Sequence, residues 1–406
     1  MPPATSPARR IVPPPRWSRR AASSAPSPGA FEIPRPDSPR RRLGSVEALR
    51  GAAALLLVVF HVQAMSGTAL SGPAGRFVES FASGVPLFYA ISAFSLLIGY
   101  HGMLEQPGGL RKFYVRRFFR IAPLYYAMLL FYLLLAVCRF HRSIDWSEVL
   151  LDATFLFALV PGKHEGIVWA SWSIGVEWIF YALFPLVLVL TPGKRSALAL
   201  LAASLLISRG FMLWMATAGG DQTTFAYMGF PNHLVFFAAG VLAFRWVEGS
   251  LARQSADAAP PNRPARWVPL LLVVGLLAAG QWTPLANVLG WLRLGTHAKA
   301  LIWFILLVGA ANGLPLIDNR WLRLAGRWSF GIYLLNPPVV HALHRAGVYA
   351  AIRHVVASAD LAFCCAAALT IAVVAAAAGV AHAAIESPGI RLGDRVLGRF
   401  GRAAPV

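Results

Sequence analysis

Long apolar runs separated by short polar segments dominate the chain. A helix needs about 20 apolar residues to span the hydrocarbon core of a bilayer, and ten stretches come close to that length or exceed it. They lie near residues 46–66, 78–100, 121–138, 168–190, 196–216, 227–248, 268–289, 299–316, 328–348 and 359–384. The pattern predicts an all-α polytopic membrane protein with about ten transmembrane helices. Pro315, Pro337 and Pro338 interrupt two of these stretches and weaken the helix prediction there.

The basic residues between the runs predict an orientation, because Lys and Arg are retained on the cytoplasmic side of short loops. With the N-terminus inside, the inner segments hold 27 of the 37 Lys and Arg residues and the outer segments hold 8. We therefore expect both termini to be cytoplasmic. The chain should be a multi-pass protein of the inner or plasma membrane.

Composition narrows the class of protein. The chain is 57% hydrophobic and 13% charged, whereas soluble domains carry about a quarter charged residues, so a soluble globular enzyme is excluded. The net charge of +20 does not indicate nucleic-acid binding, because the basic residues lie between apolar runs rather than on one face. Cys138, Cys364 and Cys365 lie within apolar runs and form neither a disulfide framework nor a metal-ligand spacing.

The two ends differ from the middle. Residues 1–42 are rich in proline and arginine and poor in large apolar residues, which predicts a disordered basic cytoplasmic tail. This tail is not expected to be a secretory signal, since the next apolar stretch is too long and has no small-residue cleavage site. Residues 43–390 should form one membrane domain, followed by a short basic cytoplasmic tail at 391–406.

The first predicted helix carries two ionisable side chains on one face. Arg50 and His61 are eleven residues apart, which at about 100° per residue places them on the same stripe, roughly 16 Å apart along the axis. Arg suits phosphate and His suits a general base near neutral pH, so one ligand could contact both. The spacing is equally compatible with an Arg that reaches lipid phosphate and a His bonded to a neighbouring carbonyl.

A second segment, WASWSIGVEWIFYALFP, contains Glu177 and, four residues earlier on the same helical face, Ser173. Glu177 is the only carboxylate deep in any predicted span. We expect it at about the depth of His61 in the membrane, where it could orient the imidazole or stabilise its protonated form. Alternatively, Glu177 is protonated and bonded to a backbone carbonyl, or it holds helices together through Arg209.

A third segment, RKFYVRRFFRIAPLYY, places Arg117 and Arg120 three residues apart on one helix face. Such a pair can form an anion site. Arginines also flank apolar spans in most polytopic proteins, so a solvated basic collar is the alternative.

Together these strings resemble the acyltransferase-3 family of integral-membrane O-acyltransferases, over roughly residues 43–390. The resemblance rests on ordered motifs. They are Arg-Gly followed by His (Arg50, Gly51, His61), VPLFYAISAFSLL, the Arg-Ile-x-Pro segment (Arg120, Ile121, Pro123), Trp-Ser-x-x-x-Glu (Trp172, Ser173, Glu177), LAGRWSFGIYLLNPPVV and the closing IESPGIRL with Glu386 and Pro388.

Three positions depart from the family pattern. Ala93 stands where the family usually has Gly, Phe330 where Tyr is common, and Asn336 where His is frequent. The role of that second His therefore does not transfer to this chain. The match is to the single-domain form, without the hydrolase-like domain that some members append.

The resemblance implies transfer of an acyl group, usually acetyl, from cytoplasmic acyl-CoA to a hydroxyl of a sugar in a cell-surface glycan or glycolipid. His61 would be the general base and Glu177 its orienting carboxylate. Arg50, Arg117 and Arg120 would bind the CoA phosphates. Ser173, Trp172 and Asn336 are expected to contact substrate. The partners would be membrane lipid, acyl-CoA as donor substrate and a carbohydrate acceptor, with no metal, no nucleic acid and no permanently bound cofactor.

Two other functions fit the same pattern. A transporter or flippase of a lipid-linked glycan or an anion would also carry a buried Arg and Glu. An accessory protein that only binds its substrate is the other. The second half contains no repeat of the Arg-x10-His stripe or of the Ser-x-x-x-Glu segment, which weakens the transporter interpretation, because inverted repeats are common in transporters.

Overall fold

The computed structural model describes residues 44–217, 223–254, 267–269, 271–272, 297–314 and 317–402. Within these ranges the chain is helical and contains no β-strand. The helices, numbered in chain order, are α1 (Gly44–Met65), α2 (Gly72–Glu79), α3 (Gly84–Tyr100), α4 (Gly109–Cys138), α5 (Trp146–Ala153), α6 (Trp172–Leu190), α7 (Lys194–Thr217), α8 (Thr223–Met228), α9 (Phe230–Gln254), α10 (Lys299–Ala311), α11 (Arg320–Arg327), α12 (Ser329–Arg345), α13 (Val348–Val355), α14 (Ala359–Ala381) and α15 (Ser387–Arg402).

Several of these helices can cross a membrane. In the described part of the chain, seven helical stretches are long and apolar enough to do so, and α10 is a shorter apolar helix. The multi-pass, all-α prediction is therefore confirmed, whereas the count of ten spans is not. Most of the predicted span at 268–289 and the predicted tail at 1–42 lie outside the described residues.

Three helix boundaries differ from the prediction. Helix α4 begins at Gly109, well before the apolar run at 121, because the basic stretch preceding that run is also helical. Helix α6 begins at Trp172 rather than at 168. After α14 the chain continues through a π-helical turn, His382–Glu386, into α15, so the segment predicted as a short basic tail is helical as far as Arg402.

Helices α1 and α11 pack with almost no space between their backbones. A Cβ atom at Gly51 would overlap the carbonyl oxygen of Leu322, and one at Gly326 would overlap the carbonyl oxygen of Glu47. Only glycine allows two backbones to approach so closely. The contact fixes the position of α1 directly beside Arg50.

An aromatic core joins α3, α6 and α9. The ring of Phe237 stacks on Phe180, with centroids 4.1 Å apart, and on Tyr89, at 4.6 Å. All three side chains are buried. This packing fixes the faces that α3 and α6 turn toward their neighbours.

The segment that leads into α6 is held by one buried carboxylate. Asp152 of α5 accepts hydrogen bonds from the hydroxyl of Tyr125, at 2.7 Å, and from the backbone N–H of Ile167, at 3.0 Å. Because a buried carboxylate requires such partners, these bonds tie α4, α5 and the loop before α6 together. They set the point at which α6 begins.

Candidate active site

Five helices, α1, α3, α4, α6 and α12, surround a cavity with about 780 Å³ of empty space, including its open mouth. Most of its polar wall consists of charged and hydroxyl-bearing side chains. They include Arg50, Ser92, Ser95, Arg117, Arg120, Ser173, Glu177, Tyr181, Ser329 and Tyr333. The structure thus brings together five of the eight residues singled out in the sequence: the three arginines, Ser173 and Glu177.

The three arginines enter the cavity from two helices and are held in different ways. Arg50 of α1 donates from Nη2 to Ser95 Oγ at 3.3 Å. Arg117 donates to the hydroxyl of Tyr100 at 3.4 Å, and its guanidinium lies 5.2 Å from the centre of that ring. Its Nε–H is buried and has no hydrogen-bond partner among the described residues, so Arg117 retains an unused donor.

Glu177 lies on α6 beside these arginines. Its Oε1 atom accepts two hydrogen bonds, from Ser92 Oγ at 2.5 Å and from the hydroxyl of Tyr181 at 2.6 Å. The guanidinium of Arg117 lies 5.9 Å from the centre of the Tyr181 ring, so Tyr181 links the carboxylate to the arginine. Oε2 of Glu177 accepts no hydrogen bond from any residue that the structure describes.

Ser173 and Tyr333 form a second hydroxyl pair in the wall. Tyr333 Oη lies 2.6 Å from Ser173 Oγ and 2.8 Å from the carbonyl oxygen of Ala170. The single Tyr333 proton goes to the Ala170 carbonyl, because a carbonyl oxygen can only accept. Ser173 therefore donates to Tyr333.

His61 lies apart from this cluster. It is half-buried and is not among the residues that line the cavity. Its Nδ1 atom donates to the carbonyl oxygen of Leu57 at 2.8 Å. Since Glu177 is engaged by Ser92 and Tyr181, the predicted contact between His61 and Glu177 is absent. A backbone carbonyl one turn earlier, rather than a carboxylate, orients the imidazole.

Trp172 and Asn336 also lie outside the cavity wall. Trp172 packs against the rings of Tyr227, at 6.0 Å, and His233, at 5.4 Å. Asn336 is fully buried and donates to the carbonyl oxygen of Tyr333 at 3.0 Å. In this structure both residues therefore contact other protein groups, and Asn336 contacts the backbone of a residue that lines the cavity.

Several site residues had not been singled out in the sequence. Tyr181 is one helical turn from Glu177, so helical spacing could have identified it. Ser92 and Tyr333 lie within two of the family-like sequence segments, but the residue pattern of those segments does not show which helix face lines the cavity. Glu386 was named in the sequence only as part of the closing family-like motif, without a role. It forms an ion pair with Arg120 at 3.4 Å and lies two residues beyond the predicted end of the last span.

The cysteines and metal-binding residue types form no further centre in the described part of the chain. Cys138, Cys364 and Cys365 are exposed. No three or more His, Cys, Asp or Glu side chains converge as metal ligands among the described residues.

Sequence comparisons identify the family. The family model described as an acyltransferase domain matches residues 43–378. A protein of Komagataeibacter xylinus named as a membrane-bound transacylase, BcsY, is 24% identical over 74% of this chain and 73% of its own length. The O-acetyltransferase OatA of Staphylococcus aureus is 24% identical over 74% of this chain and 51% of its own length.

Further Staphylococcus aureus proteins named as O-acetyltransferases are 27% identical over 51% of this chain and 35% of their own length. The match thus covers 51% of the length of OatA and 35% of the length of these other Staphylococcus aureus relatives. No solved structure matches it. Since the family model covers most of the chain, the protein belongs to the acyltransferase-3 family and is a multi-pass membrane acyltransferase.

Proposed function

We propose that the protein transfers an acyl group, in the simplest case acetyl, from acyl-CoA to a hydroxyl of a carbohydrate acceptor. The observation that carries this proposal is the convergence of Arg50, Arg117 and Arg120 on one cavity beside Glu177. Three guanidinium groups exceed what the two neighbouring carboxylates, Glu177 and Glu386, neutralise, so the cavity favours an anion such as a phosphate. Acyl-CoA is a polyanion, with its phosphates at one end and its reactive thioester at the other.

The arginines suit phosphate because a guanidinium presents planar, paired N–H donors. Arg117 uses one Nη2 donor on Tyr100 and has further N–H donors in its planar fork. Among the residues that the structure describes, Arg50 contacts Ser95 and Arg120 contacts Glu386, each through one nitrogen, and both retain further donors. Donor phosphates on this cluster would leave the pantetheine arm free to extend along α1.

His61 is our proposed general base. A neutral imidazole whose Nδ1–H donates to Leu57 carries its lone pair on Nε2, as a general base requires. His61 lies roughly 16 Å along α1 from Arg50 by helical rise, so an extended donor arm has to bridge the two. In the reaction, the acceptor oxygen bonds to the thioester carbon, its proton passes to His61, and the carbon–sulfur bond breaks. The imidazolium then returns the proton to the departing thiolate.

The role of Glu177 differs from the one expected from sequence. It does not orient His61, and we propose instead that it holds Tyr181 and Arg117 in place for the donor. Its open Oε2 atom is also a second proton acceptor within the cavity. Substituting His61 and Glu177 separately would distinguish these two contributions.

The acceptor class is proposed from the family resemblance. The Staphylococcus relatives are named as O-acetyltransferases, which supports oxygen as the accepting atom and acetyl as the transferred group. We further propose a cytoplasmic location for both termini, on the distribution of Lys and Arg. The donor would then reach the arginines from the cytoplasm.

Purified protein incubated with acetyl-CoA, radiolabelled in the acetyl group, and an oligosaccharide acceptor tests this function. We expect label in the oligosaccharide and an equal amount of free CoA thiol. Arg117→Ala should reduce the transfer at low donor concentration. Arg139→Ala is a matched control, because Arg139 is an exposed residue at the other end of α4. Transport of the glycan across vesicles without release of CoA would contradict the proposal and favour a flippase.

A further inference from the structure

Glu386 is a buried carboxylate within the last membrane-spanning stretch. The residue is 1% exposed and lies in the apolar helical stretch 359–399. A charge in such a place is costly unless it is paired. Its Oε2 atom lies 3.4 Å from Nη1 of Arg120 and 3.3 Å from Nδ1 of His382. One of its two partners is thus an arginine of the cavity wall.

The π-helical turn His382–Glu386 arranges this contact. The N–H of Ser387 donates to the carbonyl of His382, five residues back, and the following residue, Pro388, has no N–H to continue a regular ladder. The wider turn also brings the side chain of Ser387 beside His382, with Oγ 3.2 Å from Nε2. Both ring nitrogens of His382 are therefore engaged, so the imidazole is fixed against Glu386.

Helix α12 leaves room for the carboxylate. A Cβ atom at Gly331 would lie 3.1 Å from Oε1 of Glu386, closer than a carbon and an oxygen normally approach. The residue before Gly331, Phe330, lines the cavity. Glu386 therefore sits directly behind the cavity wall, between α4 and α12.

We propose that Glu386, backed by His382, is a positioning residue that holds Arg120 toward the cavity for a phosphate group of the donor. This inference rests on the proposed function. The Glu386 side chain is fully buried, whereas that of Arg120 is 27% exposed. The ion pair is made through one nitrogen of Arg120, so the remaining N–H donors of the planar fork are available to an anion. Without the carboxylate, the long arginine side chain would lose its fixed direction.

The kinetic constants of Glu386→Gln test this role. We expect the KM for acetyl-CoA to rise about tenfold, with kcat changed less than about twofold, since donor binding rather than the chemical step is affected. Asp394→Asn is the matched control. Asp394 pairs with Arg116 at 3.2 Å and joins α15 to α4, much as Glu386 joins the preceding π-helical turn to α4, but both Asp394 and Arg116 lie outside the cavity wall. This control should leave the donor KM unchanged.

A double-mutant cycle separates positioning from general stabilisation. In an Arg120→Ala background, Glu386→Gln should add little to the donor KM, because no guanidinium remains to be held. If the two substitutions raised the donor KM by independent factors that multiply in the double variant, the proposal would be overturned. An unchanged donor KM in folded Glu386→Gln protein would also overturn it. If that variant does not fold, His382→Gln retains the carboxylate and should raise the donor KM about threefold. An unchanged value there would also overturn the proposal.

Calorimetric titration with CoA keeps this inference distinct from the proposed reaction. Weaker CoA binding in Glu386→Gln supports the positioning role even if the unaltered protein transfers no acyl group, a result that would overturn the proposed function alone. Equal CoA affinity in the unaltered protein, Glu386→Gln and Asp394→Asn would overturn the positioning role.

Discussion

The side-chain amide of Asn336 donates to the carbonyl oxygen of Tyr333 at 3.0 Å. In a regular helix this carbonyl accepts from the backbone N–H four residues later, and that position is Pro337, which has no N–H. Asn336 supplies the missing donor. It thereby helps α12 to remain helical through Pro337 and Pro338, and it holds the backbone of a tyrosine that lines the cavity.

Asn336→Leu should destabilise the protein, because it leaves the buried Tyr333 carbonyl unpaired. Such a loss costs about 1–3 kcal/mol, which should lower the thermal unfolding temperature in detergent. Asn312→Leu is the control. Its side chain donates to Val308 at 2.8 Å, but that carbonyl also accepts from the Asn312 backbone N–H, at 3.3 Å. Equal destabilisation by the two substitutions would contradict this role for Asn336.

Arg117→Lys should weaken donor binding although the charge is retained. Lysine cannot replace the planar guanidinium, which donates to Tyr100 and lies near the rings of Tyr100 and Tyr181. We expect the KM for acetyl-CoA to rise at least about tenfold, equivalent to about 1.4 kcal/mol, as measured by initial rates. Arg139→Lys should leave this KM unaltered. A donor KM for Arg117→Lys equal to that of the unaltered protein would argue against a phosphate contact.

His61→Ala should abolish acyl transfer while CoA binding and thermal stability persist. Within the described part of the chain the His61 side chain makes one hydrogen bond, and it lies outside the cavity wall. His101→Ala is a close control. The Nδ1 atom of His101 likewise contacts a carbonyl four residues earlier, that of Leu97, at 3.1 Å. Transfer rates with labelled acetyl-CoA should remain high in this control. Full activity of His61→Ala would remove the general-base assignment.

His164 should make stability dependent on pH. Burial lowers the pKa of this loop histidine, and the nearby Glu165 opposes that effect only in part. The unfolded chain therefore takes up a proton at His164 more readily than the folded one. The contribution of neutral His164 to the free energy of unfolding is fully present above a pH of about 6.5. It should fall as the pH is lowered through the folded-state pKa. In His164→Gln, unfolding temperatures measured from pH 7.5 to 5 should vary less. An identical pH dependence would show that other groups cause it.

The sequence was sufficient for the features that depend on local pattern. Apolar length predicted α1, α6 and α7 to within a few residues, and residue chemistry selected Arg50, Arg117, Arg120, Ser173 and Glu177, which line one cavity. Helical spacing works here because residues on one stripe of a helix meet the same neighbours.

The relations between helices were less predictable. We expected His61 and Glu177 to meet because their depths were similar, but depth does not specify how a helix is rotated about its axis. Helix α6 also begins at Trp172, later than predicted. Glu386 was named only as part of the closing motif, and its contact with Arg120 was not predicted because the last span was ended at 384. The π-helical turn continues the helix and directs the carboxylate toward Arg120.

A cryo-EM structure of the protein with a non-transferable acetyl-CoA analogue, in which a methylene separates the sulfur from the carbonyl, tests the central claim most directly. We predict phosphate oxygens within hydrogen-bond distance of Arg117 and Arg120, and a pantetheine arm that runs along α1 toward His61. An analogue bound elsewhere, with the three arginines of the cavity making no contact to it, would contradict the account.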